Sequence, residues 1–85
     1  MGELAIANNL RRLRFDHGEM TQDALARAAG VTRQTIISLE AGRYAPSLEL
    51  AMRLALVFGR PVDDVFHWRT PPSGHSAQPS ERDKQ

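Results

Sequence analysis

Two neighbouring side chains near the middle of the chain, Arg33 and Gln34, end in forked polar groups that can each make two parallel hydrogen bonds to one base edge. A guanidinium suits O6 and N7 of guanine, and a carboxamide suits N6 and N7 of adenine. Ile36 and Leu39 are three residues apart and share one helical face. If that face points inward, Arg33, Gln34, Ile37, Ser38 and Ala41 lie on the opposite one. Ser38 offers a short polar contact there. Ile37 could meet a thymine methyl; the competing reading places it at the buried edge of the same helix. The chemistry on offer is hydrogen-bonded reading of double-stranded DNA.

Such a face has to be held in place, and the residues around it supply the means. Thr21 is an N-cap for a helix over residues 22–29, with Leu25, Ala26 and Ala29 on one side. Gly30 sits where a left-handed residue ends that helix. Val31 then buries in the turn, and Thr32 caps a helix over 33–41 that Gly42 terminates. A small residue at Ala26 lets the two helices approach closely, and Val31 and Ile36 lock the pair to a core. This is a helix-turn-helix layout, whose second helix enters the major groove with its first residues at the base edges.

The flanks read as support. Asn8 or Asn9 caps a first helix over 9–17, in which Leu10, Leu13 and the stem of Arg14 recur at helical spacing, and Gly18 stops it. After a loop over 43–46, Ser47 caps a helix over 48–58 that buries Leu50 or Ala51, Leu54, Ala55 and Phe58. Gly59 and Pro61 end it. Residues 62–66 form a short fifth helix, with Asp63 and Asp64 near its positive end and Val62, Val65 and Phe66 over the core. The expected organisation is an N-terminal arm or short strand over 1–7, one all-α, compact five-helix DNA-binding domain over 8–69, and a disordered tail over 70–85 that is rich in Pro, Ser, Gln and charge.

Composition narrows the class. Eighty-five residues with 41% hydrophobic content suit one small core and leave little room for an enclosed ligand pocket, so no small-molecule ligand is expected. There is no cysteine, which excludes disulfides and thiolate zinc sites. No apolar run approaches a membrane span and the start has no signal-peptide plan, so a cytoplasmic protein is expected. Net charge is only +1, but ten of the eleven cations are arginine, the cation suited to phosphate and guanine. Genomic codon bias is the competing explanation for that count. His17, His67 and His75 are scattered, with no acid–base, nucleophile, phosphate-loop or metal-ligand arrangement. Neither an enzyme, nor a cofactor, nor a metal site is expected.

Several stretches resemble the phage-repressor-like helix-turn-helix regulators of the Cro/C1 or XRE type. They are Leu13 and Arg14; Thr21 and Gln22; Leu25 and Ala26; the run from Ala29 and Gly30 through Val31, Thr32, Arg33, Gln34, Thr35 and Ile36; Leu39 and Glu40; Gly42, Arg43 and Tyr44; Pro46, Ser47 and Leu48; and Asp63, Asp64, Val65 and Phe66. The resemblance spans residues 8–66. It implies a transcriptional regulator, a repressor binding a two-fold operator as a homodimer. It further implies that Gln22 touches a phosphate and braces the second helix, that Arg33, Gln34 and Ser38 meet bases, and that Arg43 and Tyr44 meet the DNA backbone. With Thr32, Thr35 and Ile37 these make the candidate DNA-binding set. Arg14 and Glu40 match a buried ion pair between the first and third helices.

There are departures from the pattern. The run over 18–22 is one residue longer than the usual turn, and Ile37 and Ser38 stand where serine and lysine are usual. The aromatic end, Val65 to Trp68, resembles a small subgroup in which a strand after the fifth helix pairs with an N-terminal strand and helps form the dimer. Leu4, Ile6, Phe66 and Trp68 are the candidate dimer residues, with Leu4, Ala5 and Ile6 as the partner strand. The alternative for Trp68 is folding back on the core. A second functional reading is an antitoxin-type DNA-binding protein that also holds a partner protein, for which the tail is the candidate segment.

Overall fold

Hydroxyl side chains start three of the helices. The computed structural model describes residues 5–69, which form β1 (Ile6–Asn8), α1 (Leu10–Asp16), α2 (Gln22–Ala29), α3 (Arg33–Glu40), α4 (Leu48–Phe58), α5 (Val62–Val65) and β2 (Phe66–Trp68). Thr21 Oγ1 accepts from the Ala24 amide at 2.9 Å, Thr32 Oγ1 from Thr35 at 3.1 Å and Ser47 Oγ from Leu50 at 3.1 Å. Each cap satisfies one otherwise unpaired amide, a contribution of about 1 kcal/mol. The five-helix architecture with two short strands is the one expected from the sequence, and α2 and α4 have the expected bounds. α3 ends one residue early, with Ala41 as its C-cap.

The first and last helices are shorter than expected, for tertiary reasons. Asn9 stands at the N-cap of α1 but makes no side-chain cap. Its side-chain amide donates instead to the Asp64 carbonyl at 3.0 Å, and its backbone N–H donates to the Val65 carbonyl at 2.9 Å. Asn8 takes over the local task, its Oδ1 accepting from the Leu10 amide at 3.1 Å. At the other end Phe66 turns extended, with φ −122° and ψ 139°, and opens β2 rather than closing α5.

The additional residue in the run over 18–22 is accommodated by backbone conformation. Gly18 and Glu19 are both left-handed, with φ of 78° and 56°. A non-glycine residue there costs roughly 1–2 kcal/mol. The conformation closes the turn: the Met20 amide reaches the Arg14 carbonyl at 2.8 Å.

Two antiparallel strands join the ends of the described chain. Ile6 pairs with Trp68, Ala7 with His67 and Asn8 with Phe66, and the Arg69 amide donates to the Ala5 carbonyl at 2.7 Å. The strand begins two residues later than expected, crossing the division at residues 7 and 8, so Ile6 and Ala7 belong to the folded unit. Leu4 and the tail over 70–85 lie outside the described residues. Side chains alternate across a strand, so Ile6, Asn8, Phe66 and Trp68 share one face.

The core holds Leu10, Leu25, Ile36, Leu39, Leu54 and Val65, fully buried, with Ala26 and Ala29 between α2 and its neighbours. Burying each of the larger side chains contributes about 1.5–3 kcal/mol. Val31 is only partly buried in the turn, packing on the core from its edge, and in α4 Ala51 is buried while Leu50 is partly buried against the core. Gly30, at φ 77°, ends α2, and a Cβ there would stand 3.0 Å from Arg53 Nη1. On α4, Leu48, Met52 and Leu56 follow each other at four-residue intervals and stay exposed.

Candidate nucleic-acid interface

α3 presents its polar side outward because its apolar side is held on three flanks. Ile36 and Leu39 anchor it in the core. The Thr32 cap fixes its first turn, and the Thr32 and Thr35 hydroxyls lie 2.9 Å apart, so both are engaged in the cap. Glu40 fixes its last turn. Arg14 donates to the Glu40 carboxylate through Nε at 2.6 Å and Nη2 at 3.0 Å, and Gln22 Nε2 donates to the same carboxylate at 3.1 Å. Arg14 Nη1 also donates to the Met20 carbonyl at 2.8 Å. The two charged side chains are 15% and 9% exposed. α1, α2 and α3 therefore meet at one carboxylate, and Arg14 also ties down the turn between α1 and α2.

On the outward side Arg33 and Gln34 are exposed, Thr35, Ile37 and Ser38 are half-buried, and Arg43 and Tyr44 are exposed just beyond the helix. Ile37 thus lies between the two positions considered for it, neither in the core nor free in solvent. The Ser38 carbonyl accepts the Arg43 amide at 3.0 Å, which folds the chain directly after α3 back against it. Gln22 is half-buried through its bond to Glu40.

Apart from Arg69, the described arginines divide into two groups. Arg12, Arg27, Arg53 and Arg60 each pair with an acid one helical turn away, and Arg14 pairs with Glu40. Among the described residues, the side chains of Arg11, Arg33 and Arg43 have no hydrogen-bond or ion-pair partner. Arg11 and Arg33 line one open depression with Thr21, Gln22 and the Arg14–Glu40 pair, at the amino end of α2. Asp23 also lines it, but its carboxylate is taken up by Arg27 at 2.9 Å. Unpaired guanidinium groups beside a helix amino end favour an anion. Arg11 was missed by reading the sequence, where it counted only toward the arginine total. Its place three residues before Arg14 on α1 was the available signal.

The dimer candidates separate. Phe66 is buried in this chain's own core. Only 8% of it is exposed, because the strand it opens turns its side chain inward. Ile6 is partly buried against the same core, while Trp68, further along that face, is 50% exposed. Elsewhere, His17 meets Phe58 edge-on at 5.4 Å and His67 is exposed on β2, while His75 lies outside the described residues. Among the described residues no group of three or more His, Asp or Glu could hold a metal ion, and no helix is long and apolar enough to cross a membrane.

A helix-turn-helix family model matches residues 10–65. The chain is 48% identical over 59 residues to an uncharacterized HTH-type transcriptional regulator of Methanocaldococcus jannaschii, covering 69% of this chain and 88% of that protein. It is 41% identical over 59 residues to the HTH-type regulator YgzD of Bacillus subtilis, with the same two coverages of 69% and 88%. Among solved structures, the clp gene regulator ClgR of C. glutamicum superposes with a TM-score of 0.58 at 36% identity, over 65% of this chain and 70% of that one. A Bacteroides fragilis protein superposes at 0.63 with 18% identity, over 73% of this chain and 98% of that one, a likeness of fold.

Proposed function

This chain belongs to the helix-turn-helix family, of the Cro/C1 or XRE type, and is a DNA-binding transcriptional regulator; we propose that it acts as a homodimeric repressor that reads a roughly palindromic operator with α3 in the major groove. The observation that carries this reading is the division of the arginines. Among the described residues, the cationic side chains left without internal partners are Arg33 on the outward face of α3, Arg43 just past its end and Arg11, which lines the same depression as Arg33. In this reading Arg33 and Gln34 meet base edges, with Ser38 and the exposed part of Ile37 beside them. Arg11, Arg43 and Tyr44 meet phosphates. Thr32 and Thr35 set the amino end of α3 against the DNA, and Gln22 braces the helix while lying beside the phosphate path. Repression needs only occupancy of the operator, which this interface suffices to give. Half-sites would lie about one helical turn, ~34 Å, apart.

Arg33→Ala and Gln34→Ala test the assignment of base contacts. Each is expected to cost about 1–3 kcal/mol at one position of a selected operator and to relax base preference there. Binding of Arg33→Ala to that operator with unchanged affinity and preference would contradict the assignment.

For the dimer, Ile6 and the uncovered half of Trp68 form the proposed contact on the ribbon. Trp68→Ala is expected to lower the sedimentation mass from dimer toward monomer at micromolar protein. A dimer that survives this change would remove the ribbon contact and point to another exposed apolar surface, such as the Leu48, Met52 and Leu56 stripe of α4.

A further inference from the structure

We infer that Asn8 is a positioning residue for the DNA-reading helix: it ties the β-ribbon to the carboxyl end of α3 and sets the rotation of that helix about its axis. The inference rests on the reading of α3 as the element that meets DNA. Asn8 stands opposite Phe66 in the ribbon, on the inward face, half-buried. Its Nδ2 donates to the Leu39 carbonyl at 2.9 Å, thirty-one residues away in sequence, while its Oδ1 accepts from the Leu10 amide at 3.1 Å. Both ends of the carboxamide are therefore used. Turning it over would set Nδ2 against an N–H and Oδ1 against a carbonyl, so its orientation is determined.

The carbonyl it reaches belongs to the last turn of α3, where backbone acceptors lack their regular helical donors. Leu39 O also accepts the Gly42 amide at 3.0 Å, so the ribbon takes the second lone pair. The residue after it, Glu40, is held by Arg14 and Gln22. Successive residues of a helix are about 100° apart around its axis. A single lateral tie would let α3 roll about that point. Two ties from different directions, one to Leu39 and one to Glu40, stop the roll. α3 has only eight residues, so its roll decides where Arg33 and Gln34 point.

The test separates positioning from mere stability. Asn8→Asp keeps an acceptor for the Leu10 amide and sets a carboxylate oxygen against the Leu39 carbonyl; Asn8→Ala removes both contacts. For each folded variant, affinity is measured on a DNA duplex selected by the wild-type protein and on a scrambled duplex of equal length and salt. The ratio of the two is the readout, since inactive protein or altered net charge acts on both duplexes alike. Both variants are expected to lose about tenfold in that ratio, which corresponds to ~1.4 kcal/mol. Amide exchange at Ala41, Gly42 and Arg43 should quicken while exchange in α4 stays as in the wild type. Should Asn8→Asp fail to fold, Asn8→Ser keeps a short acceptor, cannot reach Leu39, and is expected to show the same loss. A wild-type ratio in the folded variants overturns the inference while leaving the DNA reading intact. A wild-type protein that prefers no duplex overturns the reading, and this inference with it.

Discussion

Replacing Glu40 with alanine is expected to lower the free energy of unfolding by about 3–5 kcal/mol. The carboxylate accepts from Arg14 twice and from Gln22 once, at 2.6, 3.0 and 3.1 Å. Its removal leaves the Arg14 guanidinium, in a side chain only 15% exposed, with the Met20 carbonyl as its remaining acceptor. An ion deprived of its counter-ion inside a protein keeps its full desolvation cost, which is why removing one partner costs more than the intact pair contributes. Small domains have only about 5–15 kcal/mol in total. Glu40→Ala should therefore unfold at markedly lower denaturant. The i,i+4 pairs on the surface set the contrast. In Arg27–Asp23 the side chains are 81% and 51% exposed, and Asp23→Ala should cost no more than about 0.5 kcal/mol. A loss for Glu40→Ala well under 1 kcal/mol in a denaturation curve would contradict the anchoring role assigned to the pair. An apolar replacement of both partners, Arg14→Met with Glu40→Leu, should recover much of the stability.

Operator affinity is expected to fall on the order of a hundredfold between 50 and 200 mM monovalent salt. Each phosphate neutralised by a cation releases condensed counter-ions and adds about 0.9 to the slope of log K against log salt. With Arg11 and Arg43 from each of two copies the slope is roughly −4. Arg43→Ala should weaken binding to all sequences alike and flatten the slope by about one per copy. Arg27→Ala should leave it unchanged, because Arg27 is paired with Asp23. A slope near zero, or equal flattening by Arg27→Ala and Arg43→Ala, would contradict the division between paired and unpaired arginines.

What was legible in the sequence is what is decided within a few residues. Thr21, Thr32 and Ser47 read as N-caps because the bond they make closes over three residues, and all three make it. Gly30 and Gly59 read as helix ends because a left-handed residue there favours glycine, and both are left-handed. Asn8 and Asn9 were both plausible caps by type. Their actual division of labour depends on Leu39 and Asp64, far away in sequence, so no local signal could assign it. Phe66 fitted the periodicity of a fifth helix equally well, and only its pairing with Asn8 makes it the first residue of a strand. The left-handed Glu19 was not readable from residue type, since glutamate has no preference for that conformation.

For the candidate interface, the outward set on α3 followed from periodicity alone, whereas the Arg14–Glu40 pair came from resemblance to a family. Taken by itself, Arg14 on an apolar face reads as a side chain that lays its stem on the core. The unpaired state of the Arg11 side chain is a property of the three-dimensional arrangement, in which Arg12 and Arg14 beside it on α1 find acids and Arg11 does not.

The central claim is that α3 reads base edges in a two-fold arrangement, and in vitro selection of random duplex DNA with the purified full chain tests it most directly. The account predicts enrichment of a palindrome whose half-sites are centred about one helical turn apart, with a guanine or adenine in each half-site whose selection weakens in Arg33→Ala or Gln34→Ala. Recovery of unenriched sequence, or of a motif that the two α3 variants select equally well, would contradict it.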